Sequence, residues 1–146
     1  MKSAILFSLF SILLVIRCKA QQNPGEHPKI LLLNAGTSTW PVKLTKQWFE
    51  GDTLYALTFR DAKSKSFRTT EQGFLKFEFK GFGKALQIAL SADSGSEVKF
   101  SEGVITTISG KTGKSQIECN FETGTGTFRA NESVVKMIIY AIRKEW

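Results

Sequence analysis

The stretch FLKFEFKGFGKALQIALSAD, residues 74–93, decides how many strands and how many helices this chain holds. In its first third, Leu75, Phe77 and Phe79 alternate with Lys76, Glu78 and Lys80. Strict alternation of apolar and charged residues marks a strand with one wet face, so a strand is expected over 74–80. GKALQIALSAD, from Gly83 onward, supports two readings. Leu86, Ile88 and Leu90 alternate as in a strand, whereas Ala85, Leu86, Ala89 and Leu90 line one side of a helix. Three alanines and few β-branched residues favour a short helix over residues 84–92.

Upstream, VKLTKQWF (42–49) and TLYALTFR (53–60) flank Glu50-Gly51-Asp52, and the apolar positions alternate on both sides. That is the pattern of a β-hairpin. ILLL (30–33) reads as a first short strand, NAGTST as a loop and DAKSKS as a polar connector. Downstream, EVKF, GVITTIS, SQIECNF and GTFRA are short, rich in β-branched or aromatic residues, and separated by glycine-containing turns, as in an antiparallel meander.

The end changes period. In NESVVKMIIYAIRKEW (131–146), Val134, Val135, Ile138, Ile139 and Ile142 share one helical face, opposite Glu132, Lys136, Tyr140 and Arg143. Asn131 is a good N-cap, and Glu132 and Arg143 suit the two ends of the helix dipole. The expected fold is therefore α+β: one meandering antiparallel sheet, a short middle helix, and a C-terminal amphipathic helix packed on the same face.

The N-terminus carries a different message. One lysine precedes a nearly unbroken apolar run from Ala4 to Ile16, as in a secretory signal. The run falls short of the roughly 20 apolar residues that span a bilayer. Cys18-Lys19-Ala20 suits cleavage after Ala20, whereas Val15, Ile16 and Arg17 before Cys18 do not suit lipid attachment there. The organisation is thus a signal at 1–20, a polar lead-in at 21–29 and one α+β domain at 30–146, exported to the periplasm or beyond and not membrane-spanning once processed. Removing Lys2, Arg17 and Lys19 lowers the net charge from +7 to +4. That excess is ordinary and gives no sign of nucleic-acid binding.

Catalytic sets are hard to assemble from these residues. The single histidine, His27, lies in the lead-in, which argues against Ser-His-Asp, Cys-His and histidine–zinc sites. Cys119, the one cysteine left after processing, alternates with apolar neighbours and reads as a buried thiol. GKTGKS (110–115) lacks the first glycine of a phosphate loop and precedes a strand rather than a helix, so it reads as a turn. No cofactor is expected. Carboxylate chemistry stays open through Glu50, Asp52, Glu71, Glu78 and Glu118. A small periplasmic hydrolase is the alternative to a non-catalytic binding module. For the binding module, Arg60, Lys63, Lys65 and Arg68, set beside Phe59 and Phe67, are the candidate contacts to an envelope protein or an anionic surface.

GDTLYALTFRDAKSKSFRTTEQGFLKFEFKG (51–81) also resembles small exported proteins of Bacteroidetes-type bacteria, as does the signal ending in KAQQ. The resemblance covers 53–81 best and the C-terminal third loosely. It implies a Phe-rich strand leading into a helix, a last short strand leading into a C-terminal helix, and no assigned activity.

The exported protein should begin at Gln21. Intact-mass measurement on protein from an envelope fraction checks this, and a chain starting at a diacylated Cys18 would contradict it.

Overall fold

The structure is a computed structural model that describes residues 27–109 and 115–146. The expected signal and cleavage site, Cys18, most of the lead-in and the GKTGK turn lie outside the described residues. The described elements are β1 (Ile30–Gly36), β2 (Pro41–Phe49), β3 (Asp52–Arg60), β4 (Thr69–Phe74), α1 (Lys76–Leu90), β5 (Glu97–Phe100), β6 (Gly103–Ser109), β7 (Ser115–Phe121), β8 (Thr127–Asn131) and α2 (Glu132–Arg143). The fold is α+β.

The expected strand over 74–80 is instead the first turns of α1, and the pairing strand lies just upstream, at Thr69–Phe74. A seven-residue window was too short to tell the two periods apart. Over the full helix the buried positions include Phe79, Phe82, Gly83, Leu86 and Ala89, which recur at helical spacing. Phe77, expected beside Phe79 in the core, is 68% exposed. Glu78, expected on the wet face, is buried and accepts a 2.7 Å hydrogen bond from the Leu75 backbone N–H. That bond is the glutamate half of a capping box, and it satisfies a donor at the helix start. The short helix foreseen at 84–92 is the second half of this one.

The strands also form two sheets rather than one. Each is a four-stranded antiparallel meander, β1-β2-β3-β4 and β5-β6-β7-β8. β4 runs straight into α1, and the next strand, β5, pairs with β6 in a new sheet instead of with β4. The chain is therefore two consecutive ββββα units. Their helices bury matching positions at one constant spacing: Phe79 and Val135, Phe82 and Ile138, Gly83 and Ile139, Ala85 and Ala141, Leu86 and Ile142. Each helix begins within two residues of its strand's end, with Leu75 or Asn131 at the N-cap.

The expected hairpin forms as β2–β3, and its register pairs Val42 with Phe59 and Phe49 with Asp52. Glu50 and Gly51 take φ of 46° and 87°, the two left-handed positions of the turn that matches strand twist. At the C-terminus, the Asn131 side chain accepts from the Val134 N–H at 3.0 Å, and Val135, Ile138, Ile139 and Ile142 are buried.

Both helices pack on both units: α1 touches β3 and β4 but also β5, β6 and β7, and α2 touches β1, β7 and β8. A chain of aromatic rings runs through this contact. Phe82 lies 5.1 Å from Phe74, 5.6 Å from Phe100 and 6.0 Å from Phe121, while Phe59 lies 5.6 Å from Phe121 and 5.5 Å from Phe128. At the other end Tyr55 stacks on Phe79 at 4.2 Å, and Trp146 closes over both rings. Glu145 holds this end down, accepting from Lys46 Nζ at 2.9 Å and from the Tyr55 hydroxyl at 3.2 Å. Burial, with Glu145 beside it, pushes the Tyr55 hydroxyl up to about 12.

Polar bonds join the sheets where β3 ends. The Ala62 N–H donates to the Thr127 carbonyl at 2.8 Å, and the Thr127 N–H donates to Asp61 Oδ1 at 3.0 Å. Gln72, buried in β4, accepts from the hydroxyls of Thr123 and Thr125 at 2.6 and 2.5 Å. Gly126 permits this approach. Its φ is 129°, and a Cβ there would stand 2.9 Å from the Asp61 carboxyl carbon.

Phe82→Ala should cost about 3–5 kcal/mol in urea unfolding, because it removes a fully buried ring packed on Phe74, Phe100 and Phe121. Phe77→Ala should stay within about 0.5 kcal/mol of the parent. Equal losses for the two would restore the strand reading.

Candidate functional site: the Arg60 clamp and the 61–68 loop

Alternation along β3 turns Tyr55, Leu57 and Phe59 into the core and leaves Ala56, Thr58 and Arg60 on the opposite face. Arg60 is the last residue of that strand, next to the connector. Its guanidinium carbon sits 4.5 Å from the centre of the Trp40 ring and 4.1 Å from that of the Phe67 ring, so two aromatic rings lie against one cation. Trp40 is brought there by the β1–β2 loop, where its N–H donates to the Thr37 hydroxyl and its carbonyl accepts from the Thr37 N–H. Arg60 Nη1 donates to the Thr39 carbonyl at 3.3 Å, and Nε is buried with no hydrogen-bond partner among the described residues. Phe67 is 77% exposed, and Lys65 and Arg68 flank it on the exposed loop.

Lys63 has a different setting. Its ammonium reaches over to the second sheet, donating to Asn120 Oδ1 at 2.8 Å and lying 3.5 Å from Glu118 Oε1. Asn120 Oδ1 also accepts from the Thr127 hydroxyl. Lys65 and Arg68 form no ion pair among the described residues. The structure thus places Arg60 in a ring clamp and Lys63 in an inter-sheet tie, with Lys65 and Arg68 on the open loop between. Trp40 was not foreseen as part of this group. It is remote in sequence, and only the pairing of β2 with both β1 and β3 sets it beside Arg60.

The five carboxylates fall in four places, with only Glu50 and Asp52 at the same turn. Glu50 and Asp52 flank the β2–β3 turn, where Asp52 accepts from the Thr53 N–H at 2.7 Å. Glu71 lies on β4 and accepts from Lys29 Nζ and the Thr58 hydroxyl. Glu78 caps α1, and Glu118 lies on β7, 2.6 Å from Arg129 Nη2. The Arg129 bond outweighs partial burial and, with Lys63, holds the Glu118 carboxyl below the usual carboxylate range. A general acid needs the opposite shift. Burial pushes the Cys119 thiol up, away from the reactive thiolate. No group of three histidine, cysteine or acidic residues able to hold a metal ion occurs among the described residues.

No protein-family model, curated protein or solved structure matches this chain.

A carboxyl with a lowered folded pKa stabilises the fold above its unfolded value, and that stabilisation disappears as pH falls through the folded value. Glu118→Gln should therefore lower the urea midpoint most at neutral pH. The gap to the parent should close as the pH drops below about 4. A gap independent of pH would show that the Arg129–Glu118–Lys63 bonds do not act through this charge.

Proposed function

We propose that the chain is an exported, non-catalytic binding module of the envelope, and that the Arg60 clamp with the 61–68 loop is where it contacts an acidic envelope protein. One observation carries this reading: a guanidinium held between two rings, one of them largely in water, on the face of β3 turned away from the core. Ring contacts hold the planar fork in one orientation before a partner arrives, which suits paired acceptance by a carboxylate. A large exposed ring such as Phe67 adds nothing evident to the core, and aromatic and arginine side chains are the usual anchors of protein contacts. Lys65 and Arg68 add charge that steers an acidic partner, while Lys63 anchors the loop to the second sheet through Glu118 and Asn120. Export is supported by the signal-like N-terminus and by the resemblance to small exported bacterial proteins.

The test is capture from envelope extract, with the processed parent compared with Arg60→Ala, Phe67→Ala and the Lys65→Ala/Arg68→Ala pair. The parent should retain one defined acidic protein. Arg60→Ala and Phe67→Ala should each lower that retention at least about tenfold, as expected for central anchors. The lysine–arginine pair should mainly increase its salt sensitivity. Undiminished capture by Arg60→Ala and Phe67→Ala, with melting unchanged, would move the contact elsewhere.

A further inference from the structure

We propose that the exposed side of the α1–α2 layer is a peripheral docking surface for an anionic lipid bilayer. This inference does not depend on the role given to Arg60. Lys76, Lys80 and Lys84 stand at successive four-residue steps and form one exposed ridge along α1. Like charges at that spacing repel and weaken a helix, so the ridge is unfavourable for the fold by itself. Lys136, Arg143 and Lys144 project from α2 and its C-cap, also exposed. Of the acids in these segments, Glu132 offsets Lys136 and the others are engaged elsewhere. Glu78 is buried at the α1 cap, Glu132 lies 2.6 Å from Lys136 within α2, and Glu145 is bound to Lys46. Lys76, Lys84 and Arg143 form no ion pair among the described residues.

Large apolar side chains emerge between these cations. Phe77, Ile88 and Tyr140 are 68%, 59% and 62% exposed, and Met137 and Trp146 are close to half exposed. The two helices touch, with Ile142 of α2 against Gly83 of α1. Trp146, just past α2, packs on Phe79 and lies under the Lys80 ammonium at 5.6 Å. The exposed sides of the helices therefore adjoin. A shallow hollow beside the end of α1, lined by Lys84, Gln87, Ile88, Ser91 and Ala92, continues the same face.

Charge and composition select the occupant. Protein contacts are depleted in lysine and gather their apolar residues into one desolvated centre. Here lysines and single aromatic or aliphatic side chains interleave, as in helices that lie in a membrane interface with cations at the headgroups and rings at the acyl boundary. Each cation near an anionic leaflet adds an attraction that salt screens. No helix of the described residues is long and apolar enough to cross a membrane, and the proposed contact is with the surface. Arg60 projects from the face of β3 opposite the core, so a bilayer on the helix side leaves the clamp facing away from it.

The test is co-sedimentation of the processed, exported protein with two kinds of vesicle, pure phosphatidylcholine and equal parts phosphatidylcholine and phosphatidylglycerol. Binding to the anionic vesicles alone, weakened by salt, is expected. The triple variant Lys76→Glu/Lys80→Glu/Lys84→Glu should bind at least about tenfold more weakly. Phe77→Ala should weaken binding while keeping its salt dependence. Lys43→Glu, on the first sheet and away from the helices, should change little, and thermal melting of each variant separates lost binding from lost folding. No binding to anionic vesicles at low salt, equal binding to both kinds, or undiminished binding by a folded triple variant would overturn the proposal.

Discussion

Phe82 is where the two halves of this protein meet. It is fully buried, it stacks on Phe74 of the first sheet, and its other ring neighbours, Phe100 and Phe121, belong to the second. Neither four-stranded meander has a second layer of its own that would cover its apolar face completely. Each depends on helices that also touch the other unit. Ring pairs of this kind add about 0.5–1.5 kcal/mol each beyond the area they bury. A run of them from Tyr55 through Phe79, Phe74 and Phe82 to Phe121, Phe59 and Phe128 couples the sheets through their interior. The bonds from Gln72, Asp61 and Ala62 to the β7–β8 hairpin repeat that coupling at the rim.

This arrangement also assigns the surfaces. With helices on one side and the second faces of the strands on the other, the exposed residues divide into two groups of different character. On the strand side some charges answer one another, Glu71 with Lys29 and Glu118 with Arg129 and Lys63, while Lys65 and Arg68 on the loop form no ion pair among the described residues. Arg60 is held there by rings instead of a carboxylate. On the helix side, Lys76 and Lys84, which form no ion pair among the described residues, stand among exposed Phe, Ile and Tyr. The proposed loop contact and the proposed membrane contact thus draw on different surface patterns.

Where the sequence was legible, the deciding signal was local. The β2–β3 hairpin is written in alternating residues about a Glu-Gly turn, and α2 in the Asn131 cap and the spacing of Val135, Ile138, Ile139 and Ile142. The strands β5 to β8 are short β-branched or aromatic runs between turns. The start of α1 misled because Leu75 to Lys80 alternate perfectly, and only Phe82, Leu86 and Ala89, farther along, impose the helical period. The reassignment also reverses Phe77 and Glu78, which is why a basic, aromatic helix face did not emerge from the sequence. The division into two sheets was not legible either, since it depends on a helix that crosses between units. At the loop, the density of cations near Arg60 was visible, but its sorting was not. Trp40 reaches Arg60 through strand pairing, and Lys63 finds Glu118 and Asn120 on the other sheet.

The central claim is that the aromatic contact makes the two ββββα units one cooperative body. Native-state hydrogen exchange with increasing denaturant tests it most directly, read at the amides of Leu57 in β3, Phe82 in α1 and Ile117 in β7. A single body requires these three to exchange with the same free energy, through global unfolding alone. If Leu57 opened at a distinctly lower free energy while Ile117 stayed protected, or the reverse, the units would be folding separately and the account would be wrong.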